Sequence, residues 1–210
     1  LVQQKPIRGT CGIAHTRWAT HGEPSDINSH PHTDGSQTIA VVHNGIIENH
    51  AQLRAWLEKH KVRFASQTDS EVFAHLIDFH YNGDLLLAVS ETIKRLEGSY
   101  AIAVACSQHP EMLVVAKKDS PLVIGRCDSP PLLAHTRTVQ YLEDFEIATL
   151  TKDSVHIYNL DGEEIERDVQ TIEWDMEAAE KCGYEHFMLK EICEQPKALH
   201  DTLRSRCKEG

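Results

Sequence analysis

Ile39–His50 reads IAVVHNGIIENH. Ile39 to Val42 is an apolar run rich in β-branched residues, and Asn44-Gly45 is a turn signal, so the stretch predicts a buried strand running into a tight turn. From Glu48 onward Leu53, Trp56 and Leu57 fall at helical spacing among charged residues, which predicts a helix packed back onto that strand. A strand, a turn and an amphipathic helix in quick succession point to helices lying on a sheet.

Downstream, Val62–Phe64 reads as a further strand, and Thr68-Asp69-Ser70-Glu71 has the S/T-x-x-E form of a capping box. The helix it would open carries Val72, Phe73, Leu76 and Ile77 as its buried stripe, with Asp69 at the positive end of the helix dipole. Another helix is expected over Asp84–Leu96. After Gly98 the pattern changes to short strands: Tyr100–Ala105, Met112–Ala116, Leu122–Ile124, Ile147–Leu150, Val155–Tyr158 and Ile165–Val169. Asp161-Gly162 supplies a hairpin turn before the last of these. Strands, then helices, then more strands predict an α+β domain with largely antiparallel pairing. Beyond Trp174 the strand pattern ends, and Met188–Leu203 reads as one or two short helices broken near Pro196. The expected organisation is a domain over 1–174 followed by a connector over 175–210.

Composition narrows the function. The 210 residues carry 21 Lys+Arg against 32 Asp+Glu, a net charge of −11, which repels phosphate backbones and anionic membrane surfaces. Neither a nucleic acid nor a membrane is therefore an expected partner. No apolar run approaches membrane-spanning length. The six cysteines are scattered without a C-x-x-C pair, which fits free thiols in a reducing cytoplasm better than a disulfide framework. The opening Leu-Val-Gln-Gln-Lys has no initiator methionine and no signal-peptide pattern, so the chain reads as an internal piece of a longer protein.

Several residues could carry chemistry. Asn44-Gly45 is a turn on its bland reading. On its functional reading the Asn44 amide and the Gly45 N–H form an oxyanion hole, with glycine admitting a substrate close to the backbone. Arg17 could hold a carboxylate bidentately or simply make a salt bridge, and Asp69 could be a counter-ion for an ammonium or only a helix-dipole partner. Arg17 and Asp69 together would match the two charges of a free α-amino acid. The fourteen histidines, with His30-Pro31-His32 near His15, His21 and His43, invite a metal site. A proline separates the H-x-H pair and no acidic ligand is suitably spaced, so these read as core histidines or as residues behind the site. Cys11, in the small apolar run Gly12-Ile13-Ala14, reads as a buried cysteine on a strand. It would be a nucleophile only after cleavage behind Thr10.

Four motifs occur in order: HTRWATHGEPS (His15–Ser25), NSHPHTD (Asn28–Asp34), VVHNGIIENH (Val41–His50) and TDSEVFAHL (Thr68–Leu76). The ordered set closely resembles the glutaminase domains of the glutamine:fructose-6-phosphate aminotransferase family. The similarity continues through SPLVIG and YLEDFEIATL to HFMLKEICEQP, which resembles that family's connector toward its sugar-isomerase half. The resemblance implies a four-layer αββα N-terminal nucleophile hydrolase fold, incomplete here at its N-terminus. In that family an N-terminal cysteine attacks the glutamine amide with its own α-amine as base, and ammonia passes through a channel to fructose 6-phosphate.

By motif, Arg17 resembles the residue that holds the glutamine α-carboxylate, and Asp69 the one that holds its α-ammonium. Asn44 and Gly45 resemble the oxyanion pair, Trp18 the gating tryptophan, and Thr20 and His21 the lining of the glutamine pocket. The resemblance implies no cofactor and no metal, and a full-length homo-oligomer that reaches fructose 6-phosphate through isomerase domains. Three departures accompany it. The family's cysteine lies upstream of the first motif, so Cys11 is not expected to be the nucleophile and the chain alone is expected to be inactive. IGRCDSPPLLAHT (Ile124–Thr136) is short enough to cost a strand, and the isomerase domains are absent. Two other readings stay open: a non-catalytic glutamine or amino-acid binding module, and a metal-dependent hydrolase using His30 and His32.

Overall fold

The computed structural model describes residue 9 and residues 11–16, 23–126 and 138–171, together with 188–189, 192–193 and 195–196. The chain divides into two compact units, one of Leu1–Gly125 with Val139–Val169 and one of Arg126–Thr138 with Gln170–Gly210. Everything that follows concerns the first.

Its larger sheet contains β1 (His32–Thr33), β2 (Ile39–Ile47), β3 (Gly98–Cys106), β4 (Leu113–Lys118), β7 (Ile147–Leu150), β8 (Val155–Tyr158) and β9 (Glu164–Ile165), adjacent in that order. All six pairings are antiparallel. Between β4 and β7 come β5 (Val123–Arg126) and β6 (Thr138–Tyr141), neighbours in a second sheet. Three helices, α1 (His50–Lys59), α2 (Glu71–His80) and α3 (Leu85–Ile93), connect β2 to β3. The short β10 (Gln170–Thr171) belongs to the other unit.

Two-residue periodicity explains the layers. On β2, Ile39, Val41 and Ile47 are fully buried against the helices, and so are Tyr100, Ile102 and Val104 on β3. The stripe expected on α2, Val72, Phe73, Leu76 and Ile77, meets them with no exposure, and Phe73 packs edge-on against Tyr100 at 5.9 Å. The opposite face carries a second core in which Val115, Ala148 and Ile157 pack with Ile124 and Leu142. The strands β4 and β7 are thus buried on both faces, which is why they read as continuous apolar runs. Helices, sheet and second sheet form successive layers of an α+β unit. Among the described residues no helix is long and apolar enough to cross a membrane.

Several local expectations are corrected. Asn44-Gly45 is not a hairpin turn: β2 runs through it to Ile47, with Asn44 opposite Ala101 and Gly45 opposite Tyr100. The glycine serves a different need. Gly45 has φ +127°, and a Cβ there would lie 2.2 Å from the Ser99 carbonyl oxygen. Gly98 repeats the arrangement across the ladder, with φ +110° and the Ile46 oxygen at 2.2 Å from the position of a Cβ. Two backbones approach here as only glycine allows.

Val62–Phe64 pairs with nothing as a strand; both side chains pack against the main core from a loop instead. The capping box does not form. The cap of α2 is Ser70, with no side-chain cap bond, and the Glu71 carboxylate turns away to the Ala65 and Ser66 N–H groups, both at 2.7 Å. The strand expected over Ile165–Val169 is shorter, ending at Ile165. Cys11 is exposed and lies in no regular element, so it is neither a strand residue nor buried. By contrast α3 begins with Asp84 accepting from the Leu87 N–H at 3.0 Å, and Asn159–Glu163 forms the hairpin turn through Gly162.

Candidate functional site

Three segments converge at the far end of β2. The strand contributes His43, Asn44 and Gly45, the residues before α2 contribute Thr68, Asp69 and Ser70, and the loops at 15 and 30 contribute a stack of histidines. Alternation on β2 decides which way each side chain faces. His43 lies on the helix side, 5.1 Å from the Phe73 ring, while Asn44 faces the other way and is exposed.

Asp69 is 3% exposed. Its Oδ2 accepts from the Ile47 N–H at 2.9 Å and its Oδ1 receives the Ser70 hydroxyl at 3.5 Å. It sits just ahead of the α2 N-terminus, where the helix dipole favours a negative charge. A buried carboxylate with one oxygen held by the backbone and the other only loosely engaged is chemically suited to a cation.

The histidines pack against one another. His15 lies 4.2 Å from His30 between ring centroids, and His30 lies edge-on to His32 at 4.8 Å. His32 Nε2 meets Thr68 Oγ1 at 3.0 Å, and His43 Nδ1 meets Ser70 Oγ at 2.9 Å. Burial and the neighbouring His15, His32 and His43 lower His30 to about 3. Burial likewise holds His43 down at about 4, against the opposing pull of Asp69. Both rings are therefore neutral near pH 7. Among the described residues no His, Cys, Asp and Glu side chains gather in a way that could hold a metal ion, and His30 and His32 spend their faces and edges on each other. The geometry does not favour the metal-dependent hydrolase.

Asn44 Oδ1 is 2.8 Å from His15 Nε2, which leaves the amide N–H2 directed elsewhere. Asn44, Gly45 and Asp69 are thus brought together on one short path: the strand carrying the first two ends at Ile47, which is bonded to the third. Arg17, Trp18, Thr20 and His21 lie outside the described residues.

Residues 15–130 match the family model described as the glutamine amidotransferase domain. The chain belongs to the glutamine amidotransferase domain family. Over its whole length it is 51% identical to the glutamine–fructose-6-phosphate aminotransferase (isomerizing) of Clostridium acetobutylicum and 54% identical to that of Clostridium perfringens. It covers 36% of each, so the chain spans about a third of the length of the curated relatives it matches. Among solved structures, the glutamine phosphoribosylpyrophosphate amidotransferase of B. subtilis superimposes with a TM-score of 0.56 at 21% identity, over 70% of this chain and 34% of that one. A structure titled as the allosteric regulatory enzyme of purine biosynthesis does so with a TM-score of 0.56 at 24% identity, over the same shares. At these identities the likeness concerns the fold, and it bears out the α+β, N-terminal nucleophile hydrolase class expected from the motifs.

Sequence reasoning missed the histidine stack and the bond from Ile47 to Asp69. The dense histidine spacing in 15–43 was the available signal for the first; nothing local signals the second, because its partners are 22 residues apart.

Proposed function

We propose that this amidotransferase domain hydrolyses glutamine to glutamate and ammonia, and that in the whole protein the ammonia serves the synthesis of glucosamine 6-phosphate from fructose 6-phosphate. The observation that carries this reading is the bond of the buried Asp69 to Ile47, on the strand that bears Asn44 and Gly45. On it, Asp69 holds the α-ammonium of glutamine and Arg17 its α-carboxylate, Trp18 gates the pocket, and Thr20 and His21 line it.

A cysteine thiolate adds to the side-chain amide carbonyl, and the tetrahedral oxyanion is met by the Asn44 amide and the Gly45 N–H. The nitrogen takes a proton and leaves as ammonia, and water then cleaves the thioester to release glutamate. Oxyanion donors act because they are aimed at charge that develops only in the transition state. On this reading that thiol lies upstream of the first motif and is not Cys11, which is exposed on a segment without regular structure. Residues 1–174 form the amidotransferase domain and 175–210 the connector to the isomerase part. The whole protein acts in the cytoplasm as a homo-oligomer, without a cofactor.

The test is a glutaminase assay on the full-length protein. Asn44→Ala is expected to lower kcat about 10²- to 10³-fold with KM for glutamine little changed, and Cys11→Ala to leave the rate intact. Unchanged turnover in Asn44→Ala, or abolition by Cys11→Ala, overturns the assignment. Tight glutamine binding without any hydrolysis would favour the binding module instead.

A further inference from the structure

We propose that His15 is a positioning residue for the oxyanion donor: its Nε2–H holds the Asn44 carbonyl oxygen and so turns the Asn44 amide N–H2 toward the reacting carbonyl. The inference rests on the reading of Asn44 as an oxyanion donor and adds what fixes its orientation.

An asparagine amide rotates freely about χ2, whose wells are broad and roughly two-fold. One of those wells presents the N–H2 and the other presents the carbonyl oxygen, which would repel an oxyanion. Asn44 is exposed on the outer face of β2, so the strand itself does not choose between them. His15 does, through the 2.8 Å contact of Nε2 with Oδ1.

The direction of that bond follows from the rest of the ring. His15 Nδ1 is buried and has no hydrogen-bond partner among the described residues. A neutral imidazole has one N–H, and the free energy is lowest with the proton where an acceptor waits, on Nε2. Asn44 Oδ1 is then the acceptor and its nitrogen faces outward. Packing keeps the ring in place: His15 lies against His30, His30 against His32, and His32 is bonded to Thr68, next to Asp69 in the chain. The histidines so link the oxyanion donor to the segment that carries the ammonium-binding carboxylate.

The experiment uses the full-length protein and three variants. His15→Ala is expected to lower kcat for glutamine hydrolysis about 10- to 100-fold with KM changed less than about threefold, since misaiming a donor costs less than deleting it. His15→Gln, which can still donate an N–H, recovers most of the loss. In the Asn44→Ala background, His15→Ala changes kcat by less than about twofold, because the group it orients is gone. A full multiplicative effect of His15→Ala in that background, or no effect in the wild type while Asn44→Ala is impaired, overturns the positioning role. An Asn44→Ala protein with normal kcat overturns the oxyanion reading itself. Nitrogen-15 NMR of the wild-type protein checks the tautomer independently of any variant: an Nε2–H signal for His15 supports the proposal, and an Nδ1–H signal contradicts it.

Discussion

Asp69 Oδ2 accepts the backbone N–H of Ile47 at 2.9 Å, and this bond joins the carboxylate ahead of α2 to the strand that bears Asn44 and Gly45. Asp69→Asn preserves an oxygen for Ile47 and removes the charge. The variant is expected to fold, and to raise KM for glutamine about 10- to 100-fold, the loss of one charge-assisted contact of roughly 1.5–3 kcal/mol. Steady-state kinetics with circular dichroism checks both parts. An unchanged KM would remove Asp69 from the substrate clamp.

Gly45 faces the Ser99 carbonyl across the ladder with no room for a methyl group. Gly45→Ala must widen the β2–β3 spacing or leave the left-handed φ, at a cost of at least about 2 kcal/mol. A fall in Tm of about 4–8 °C is expected for a unit of this size. Thermal unfolding measures it. A variant as stable as wild type would show that the close approach is dispensable.

Glu71 is buried. Burial alone would raise its carboxyl, but hydrogen bonds from His75, from the Ser66 hydroxyl and from the Ala65 and Ser66 N–H groups outweigh it and hold the group at about 2, below the ordinary 4.5. A depressed carboxylate contributes stability that is complete above about pH 4.5 and is lost as pH falls toward 2. Glu71→Gln is expected to cost about 1.5–3 kcal/mol at neutral pH and to abolish this part of the acid sensitivity. Urea unfolding at pH 7, 4.5 and 3 separates the two effects.

His43 gives a second acid window. Burial lowers it from 6.5 to about 4, so as pH falls below 6.5 the unfolded chain takes up a proton that the folded chain refuses. Stability linked to this group is complete above about 6.5 and declines down to about 4, by up to about 1.4 kcal/mol per pH unit. His43→Gln is expected to lower the slope between pH 6.5 and 4.5 by about half, the remainder belonging to His30, which burial holds down over the same window. An unaltered slope there would assign the loss to other groups.

Much of this architecture is legible in short windows. The apolar stripe of α2, the helix near Asp84–Leu96, the Asp161-Gly162 turn and most strands of the larger sheet follow from periodicity and turn chemistry within about ten residues. Two of the readings that failed share a reason. Asn44-Gly45 has the local signature of a turn, yet pairing with β3 more than fifty residues later carries the strand through it. Thr68–Glu71 has the local signature of a capping box, yet Glu71 binds the preceding loop. In both cases a partner outside the motif, on β3 for the first and in the preceding loop for the second, offered the same polar groups a better hydrogen bond than the motif's own backbone did.

For the site, residue types offered an amino-acid clamp and an oxyanion pair as candidates, because charge and donor chemistry belong to the side chains themselves, and the order of the motifs supplied the roles proposed for them. Their mutual geometry was legible in neither. His15 and Asn44 are 29 residues apart and Ile47 and Asp69 are 22 apart, so no periodicity relates them. The sequence by itself determined most of the elements and the groups proposed to bind glutamine. Only the tertiary structure decided that the Asn44 amide is held from one side by a histidine stack and that Asp69 is locked to the same strand. Those contacts exist only after non-local strand pairing and helix packing have overcome the entropy of closing the intervening loops.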